Sequence, residues 1–188
     1  MLTLGLFSSA ESIERQSLDF YISGANRDVF SKYIRTQNAD VPRPLVHHIV
    51  TEIFERSRQY QMDPLLILAL MDAESSYDRY AESYAGARCL MQVMPSVWLD
   101  QDNEFNLSTV GIVKMDNGDF ETKNTEDPAD QLWNITTCIH AGVYVLSVKR
   151  NECLLWANQG QLTGRGYHTL LGCMVRRYNG ATGKDYYK

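Results

Sequence analysis

ESSYDRYAESYAGARCLMQVMP, residues 74–95, is the stretch on which the reading of this chain turns. It sets one acidic residue, Glu74, at the end of a strongly apolar segment. Small, polar and sulfur-bearing residues follow at once. Upstream, Asp63-Pro64 is a helix start, with Asp as the cap and Pro at the first helical position. The run Leu65, Leu66, Ile67, Leu68, Ala69, Leu70, Met71 is apolar almost all round, so the helix it builds is a buried one. Glu74 then falls near the C-terminal end of that helix. Burial disfavours a carboxylate, and so does the negative end of the helix dipole. Both favour the protonated form near neutral pH, which is the property a general acid needs. A lone Glu in this place more often caps a helix or pairs with a cation, so the residues around it decide.

Those residues form a long pattern at fixed spacing. Glu74, Ser75 and Tyr77 read as E-S-x-[F/Y]. Ala81 and Ser83 read as A-x-S. Gly86, Ala87, Leu90, Met91, Gln92, Met94 and Pro95 read as G-A-x-G-L-M-Q-x-M-P, with Cys89 where glycine is usual. The pattern resembles the signature of the soluble lytic transglycosylases (SLT type), relatives of the goose-type lysozymes. Two further landmarks agree. Arg177-Tyr178-Asn179-Gly180-Ala181 resembles the family's Y-N-A-G box, with Gly and Ala inverted. The segment Cys138-Ile139-His140-Ala141-Gly142-Val143-Tyr144-Val145-Leu146 resembles N-I-x-x-G-x-x-Y-L, with Cys138 in place of Asn. Asn134 lies one turn earlier and is a candidate for the missing amide. The resemblance covers roughly residues 45–185.

The resemblance implies a mainly α, lysozyme-like single domain that cleaves the β-1,4 bond between N-acetylmuramic acid and N-acetylglucosamine in peptidoglycan. Glu74 takes the catalytic place. Ser83, Met91, Gln92, Tyr178 and Asn179 take substrate-binding places. Tyr77 and Met94 read as packing residues. A glycoside hydrolase usually sets two carboxylates across the scissile bond, and no second acid is placed by the motif; Asp72, Asp78 and Glu82 are the nearby candidates. That favours a single acid/base. Glu74 protonates the glycosidic oxygen, then deprotonates the sugar's 6-hydroxyl, giving a 1,6-anhydro product. The alternatives are a hydrolytic muramidase of the same fold and a catalytically silent peptidoglycan-binding module.

Composition sets the outer bounds. With 44% hydrophobic and 22% charged residues, the chain is an ordinary globular one, long enough for one domain with a real core. A net charge of −5 argues against a general nucleic-acid binder. No apolar run approaches the ~20 residues that span a bilayer. The N-terminus, MLTLGLFSSAES, lacks the positive region of a signal peptide, although the implied substrate places the protein in the periplasm or outside the cell. His47, His48, His140 and His168 form no i, i+4 ligand pair, so neither metal nor cofactor is expected. Glycan strands are the expected partner, and a monomer the expected state. The four cysteines fit no zinc spacing. We read them as buried free thiols, Cys89 above all, because it replaces a glycine in a tightly packed segment.

Along the chain we expect an N-terminal helical extension over residues 1–44 packed on a catalytic domain over 45–188. Ser8-x-x-Glu11 opens a first helix with Ile13, Ser17, Phe20 and Tyr21 inward. Val29, Phe30, Tyr33 and Ile34 mark a second. Val46, Ile49, Val50, Ile53, Phe54 and Ser57 keep helical spacing. Pro95 is placed to open a short helix. Asn117-Gly118, between two partly alternating runs, predicts a small inserted β-hairpin over about 107–123. Asp127-Pro128 starts a long helix with Leu132, Ile135, Ile139, Val143 and Leu146 inward, ending near Lys149 and Arg150. A glycine-rich loop over 158–166 leads to a last helix from about Tyr167 to Tyr178.

Overall fold

A computed structural model describes residues 24–95, 110–125, 127–160, 162 and 169–180. The expected first helix, the helix expected from Pro95 onward and the start of the last helix at Tyr167 lie outside the described residues. Helix α1 spans Gly24–Gln37, α2 Arg43–Tyr60 and α3 Pro64–Ser75. Strands β1 (Val110–Lys114) and β2 (Phe120–Asn124) follow, then a 3₁₀ turn (Pro128–Trp133), α4 (Ile135–Asn158) and α5 (Leu170–Tyr178).

The apolar spacing places these helices as expected. On α2, Val46, Ile49, Val50, Ile53, Phe54 and Ser57 are all buried. They face α4, where Ile135, Ile139, Val143 and Leu146 are buried in turn. On α1, Phe30 and Ile34 are buried and the Phe30 ring lies 5.0 Å from that of Phe54, whereas Val29 and Tyr33 are exposed. Asp63 caps α3 by accepting from the Leu65 N–H at 2.8 Å. Ser76 and Tyr77, both in the left-handed region at φ 49° and 63°, end α3 just past Glu74. From α1, Tyr33 donates to Asp72 at 2.7 Å and Asn38 donates to the Ser76 carbonyl at 2.9 Å, so α1 grips the same end.

The hairpin is antiparallel, with Lys114 opposite Phe120. Its loop is Asp116-Asn117-Gly118, one residue longer than the tightest Asn-Gly turn. The Gly118 N–H bonds the Met115 carbonyl and the Met115 N–H bonds the Asp119 carbonyl. Gly118 has φ 89°, the left-handed residue that closes a three-residue loop of this kind.

Three expectations are corrected. Asp127-Pro128 starts a 3₁₀ turn, not the long helix, which restarts where Asn134 caps it by accepting from the Thr137 N–H. Asn134 is thus committed to helix capping. The long helix does not stop at Lys149 and Arg150 but continues to Asn158, because Cys153 is a further inward position, fully buried. Nor are the cysteines thiols: Cys89 is bonded to Cys138, and Cys153 to Cys173. The Cys89 and Cys138 Cα atoms lie 6.2 Å apart although 49 positions separate them in sequence. The seating of the loop after α3 against α4 that brings them together has no local sequence signal.

Candidate active site

The site is built where the end of α3, the loop after it, and the end of α5 meet. Glu74 is half-buried at the last turn of α3. Burial raises its pKa above the ordinary carboxylate value. Among the described residues no cation or hydrogen-bond donor pairs with its carboxylate, so nothing offsets that burial. The three nearby carboxylates are all engaged. Asp72 accepts from Tyr33, and Asp78 accepts from the Tyr80 N–H at 2.9 Å. Glu82 is paired with Lys114 at 2.8 Å and with Arg88 at 3.3 Å. The hydrogen bond from Lys114, with help from Arg88, holds Glu82 below the ordinary carboxylate value. Burial thus favours the protonated form of Glu74, whereas the Lys114 and Arg88 partners favour the charged form of Glu82.

The loop Ala81–Val93 is tied to the end of α3 and to α5 through its backbone carbonyls. Ser75 donates to the Leu90 carbonyl at 2.9 Å. Tyr178 donates to the Met91 carbonyl at 2.7 Å. Burial, and the nearby charge of Glu74, push the Tyr178 phenol well above its ordinary value, so it stays neutral and a donor. Tyr77 is buried and donates to the Leu68 carbonyl, the packing role expected of it.

The other expected site residues take more structural places. Ser83 accepts from the Ala87 N–H at 3.0 Å and so closes a tight turn. The Gln92 amide donates to the carbonyls of Ala81 and Cys89 at 3.1 and 3.0 Å, leaving its Oε1 as the group able to meet a ligand. Met91 is fully buried and packs against α4 at Gly142. Asn179 is exposed at the C-terminal end of α5, beyond Tyr178.

Sequence reasoning missed Arg88. It occupies an unspecified position of the pattern, yet it bridges Glu82 and Asp130 and lies 5.4 Å over the Trp133 ring. The only signal for it is the opposite charge of Glu82 across the turn. The hairpin is docked on the same segment. Phe120 stacks on Tyr80 at 3.8 Å and meets Trp133 edge-on at 5.1 Å, in addition to the Lys114–Glu82 pair.

Met91 also explains Gly142. A β-carbon at position 142 would lie 2.6 Å from Met91 Cβ and 2.5 Å from its sulfur, so α4 must be bare there for the loop to seat. Gly142→Ala is expected to cost about 1–3 kcal/mol by overpacking. It should also lower activity, because the displaced Met91 carries the carbonyl that anchors Tyr178. Melting curves and turnover check this; an unchanged Met91 environment and unchanged turnover would contradict it.

Residues 51–159 match the family model described as "Transglycosylase SLT domain". The chain belongs to the SLT transglycosylase domain family. The mainly α architecture with its small hairpin is the lysozyme-like one expected for an SLT domain. The chain is similar to the membrane-bound lytic murein transglycosylase C of Actinobacillus succinogenes, 59% identical over 39 residues, which are 21% of this chain and 11% of that protein. The protein of the same name from Mannheimia succiniciproducens is 54% identical over 41 residues, 22% of this chain and 12% of its own. That from Haemophilus influenzae strain PittGG is 35% identical over 102 residues, 54% of this chain and 24% of its own. The chain matches less than a quarter of the length of each of these relatives. No solved structure matches the chain. The matched SLT segment holds Glu74 and the loop around it; Tyr178 and Asn179 lie beyond it.

Proposed function

We propose that this protein is a peptidoglycan lytic transglycosylase in which Glu74 is the single acid/base. One observation carries the reading. Glu74 is half-buried, has no partner among the described residues and is raised in pKa, while Asp72, Asp78 and Glu82 are each committed to another contact. One available carboxylate among the described residues around the site suits a reaction that uses one group twice. Glu74 gives its proton to the glycosidic oxygen between N-acetylmuramic acid and N-acetylglucosamine as that bond breaks. The resulting carboxylate takes the proton from the muramyl 6-hydroxyl, whose oxygen closes the 1,6-anhydro ring. Water is neither added nor released. Gln92 Oε1 and the exposed Asn179 amide are the groups placed to meet the sugar's hydroxyl and N-acetyl groups; Ser83 and Met91 act by shaping the loop.

The names of the relatives, lytic murein transglycosylases that are membrane-bound, agree with action at the cell envelope. Two disulfides suit the same oxidising compartment. Among the described residues no helix is long and apolar enough to cross a membrane. The test of the activity is incubation with purified peptidoglycan. Release of soluble muropeptides is expected; a chain that pellets with the wall but releases nothing would be a binding module.

The hairpin is the element we assign to substrate choice. Its second strand is exposed from Glu121 to Asn124, while Phe120 and Lys114 tie it to the segment after Glu74. Inserted loops on a rigid scaffold commonly carry binding function. Replacing residues 110–124 by a short Gly-Ser link is expected to lower activity on long glycan strands more than on short oligomers. An unchanged ratio between the two substrates, in a protein that still melts cooperatively, would rule this role out.

A further inference from the structure

Cys89 lies in the left-handed region at φ 71°, where a β-carbon is disfavoured and glycine is at ease. It nevertheless opens the turn on which the site depends. Its N–H donates to the Ala81 carbonyl at 2.9 Å, and its own carbonyl accepts from the Gln92 N–H and the Gln92 amide. The next two carbonyls, of Leu90 and Met91, hold Ser75 and Tyr178. The bond from Cys89 runs to Cys138 on α4, and Gly142, one helical turn further along, receives Met91. The turn is therefore tied to one face of α4 at two successive points, covalently and by packing. Both cysteines are almost fully buried. Cys89 and Cys138 are also the two cysteines noted above as standing where the SLT pattern has another residue, and they are bonded to each other.

We propose that the Cys89–Cys138 bond is a positioning device for the catalytic site. It holds the Cys89–Gln92 turn in a conformation that a side chain at position 89 opposes, and so keeps Ser75, next to Glu74 in the chain, and Tyr178 anchored on the Leu90 and Met91 carbonyls. The bond touches neither substrate nor the reacting proton. The proposal rests on the assignment of Glu74 as the acid/base.

Two double variants of the full chain test it. Cys89→Ala with Cys138→Ala, and Cys89→Gly with Cys138→Ala, both lack the cross-link and leave no odd thiol. They differ in a single β-carbon at a left-handed position. Loss of the cross-link should lower their melting temperatures alike. The alanine pair is expected to lose about tenfold in kcat on purified peptidoglycan with KM within about twofold, and the glycine pair to recover most of it. The methyl resonance of Met91 should move in the alanine pair and return in the glycine pair. Equal kcat in the two variants, or wild-type kcat in the alanine pair, would overturn the proposal. Should the alanine pair not fold, the glycine pair decides: near-wild-type kcat supports the proposal, and a glycine pair that is inactive or unfolded overturns it. Should the wild-type chain release no muropeptides, the functional assignment fails separately, and the Met91 resonance alone decides whether the bond positions the turn.

Discussion

Glu74→Gln is expected to fold as the wild-type chain does and to lose about 10²–10⁴-fold in turnover on purified peptidoglycan. Gln occupies the same space but can neither give nor take the proton. The pH profile should carry the same signature. Burial holds Glu74 above the ordinary carboxylate range, so the acid is present below that raised value and the rate falls as pH rises through it. The shift also fixes a sign for stability. The folded protein binds this proton more tightly than the unfolded chain, so stability is lost as pH rises from the ordinary carboxylate value through the raised one. Gln has no charge to desolvate at any pH. The variant should therefore melt at or above the wild-type temperature at neutral pH, with the gap closing in acid. Wild-type turnover in the variant, or a much lower melting temperature at neutral pH, would contradict the assignment.

Cys153→Ala with Cys173→Ala is expected to destabilise the protein by about 3 kcal/mol, from the chain entropy that a loop of this size restores to the unfolded state. The two cysteines are 20 positions apart, and they join α4 to α5. For a chain of this length that corresponds to a fall of roughly 6–12 °C in Tm. Both side chains are fully buried, so truncation also leaves unfilled space. Other contacts keep α5 in place once folded. Arg177 donates to Glu152 at 2.6 Å through Nε and lies 4.6 Å over the Trp156 ring. Burial alone would raise Glu152, but the Arg177 and Lys149 donors outweigh it and leave the carboxyl below its usual value. Turnover measured well below the lowered Tm should therefore stay within a few-fold of wild type. A Tm within a degree of wild type would show that α5 is held by packing and ion pairs alone.

Periodic apolar spacing made α2 and the body of α4 legible, because every inward position on them is set by the 3.6-residue repeat. Asp63-Pro64 made the start of α3 legible, and with it the depth of Glu74. The hairpin was legible from Asn117-Gly118, though not the type of its loop. What escaped was whatever depends on two distant segments meeting. Cys89 and Cys138 gave no sign of each other, since their pairing follows from how the loop after α3 seats against α4. Asn134 resembled a site amide, yet a helix N-terminus needs a cap and Asn134 supplies it. Ser83, Met91 and Gln92 fit a ligand-binding pattern by residue type. Their hydrogen bonds and burial also hold the loop after α3, which no residue type announces. A residue type advertises which bonds it can make, but only the fold decides whether the backbone has already taken them.

The most direct test of Glu74 as a single acid/base is the chemistry of the product. Purified peptidoglycan should be digested by the wild-type chain in water enriched in heavy oxygen, and the released muropeptides weighed. Ring closure by the substrate's own 6-hydroxyl predicts products one water lighter than hydrolytic muropeptides, with no heavy oxygen at the muramyl end. Products of full hydrolytic mass that carry heavy oxygen at that end would contradict the account, because a water, and not the 6-hydroxyl, would have given up its proton to Glu74.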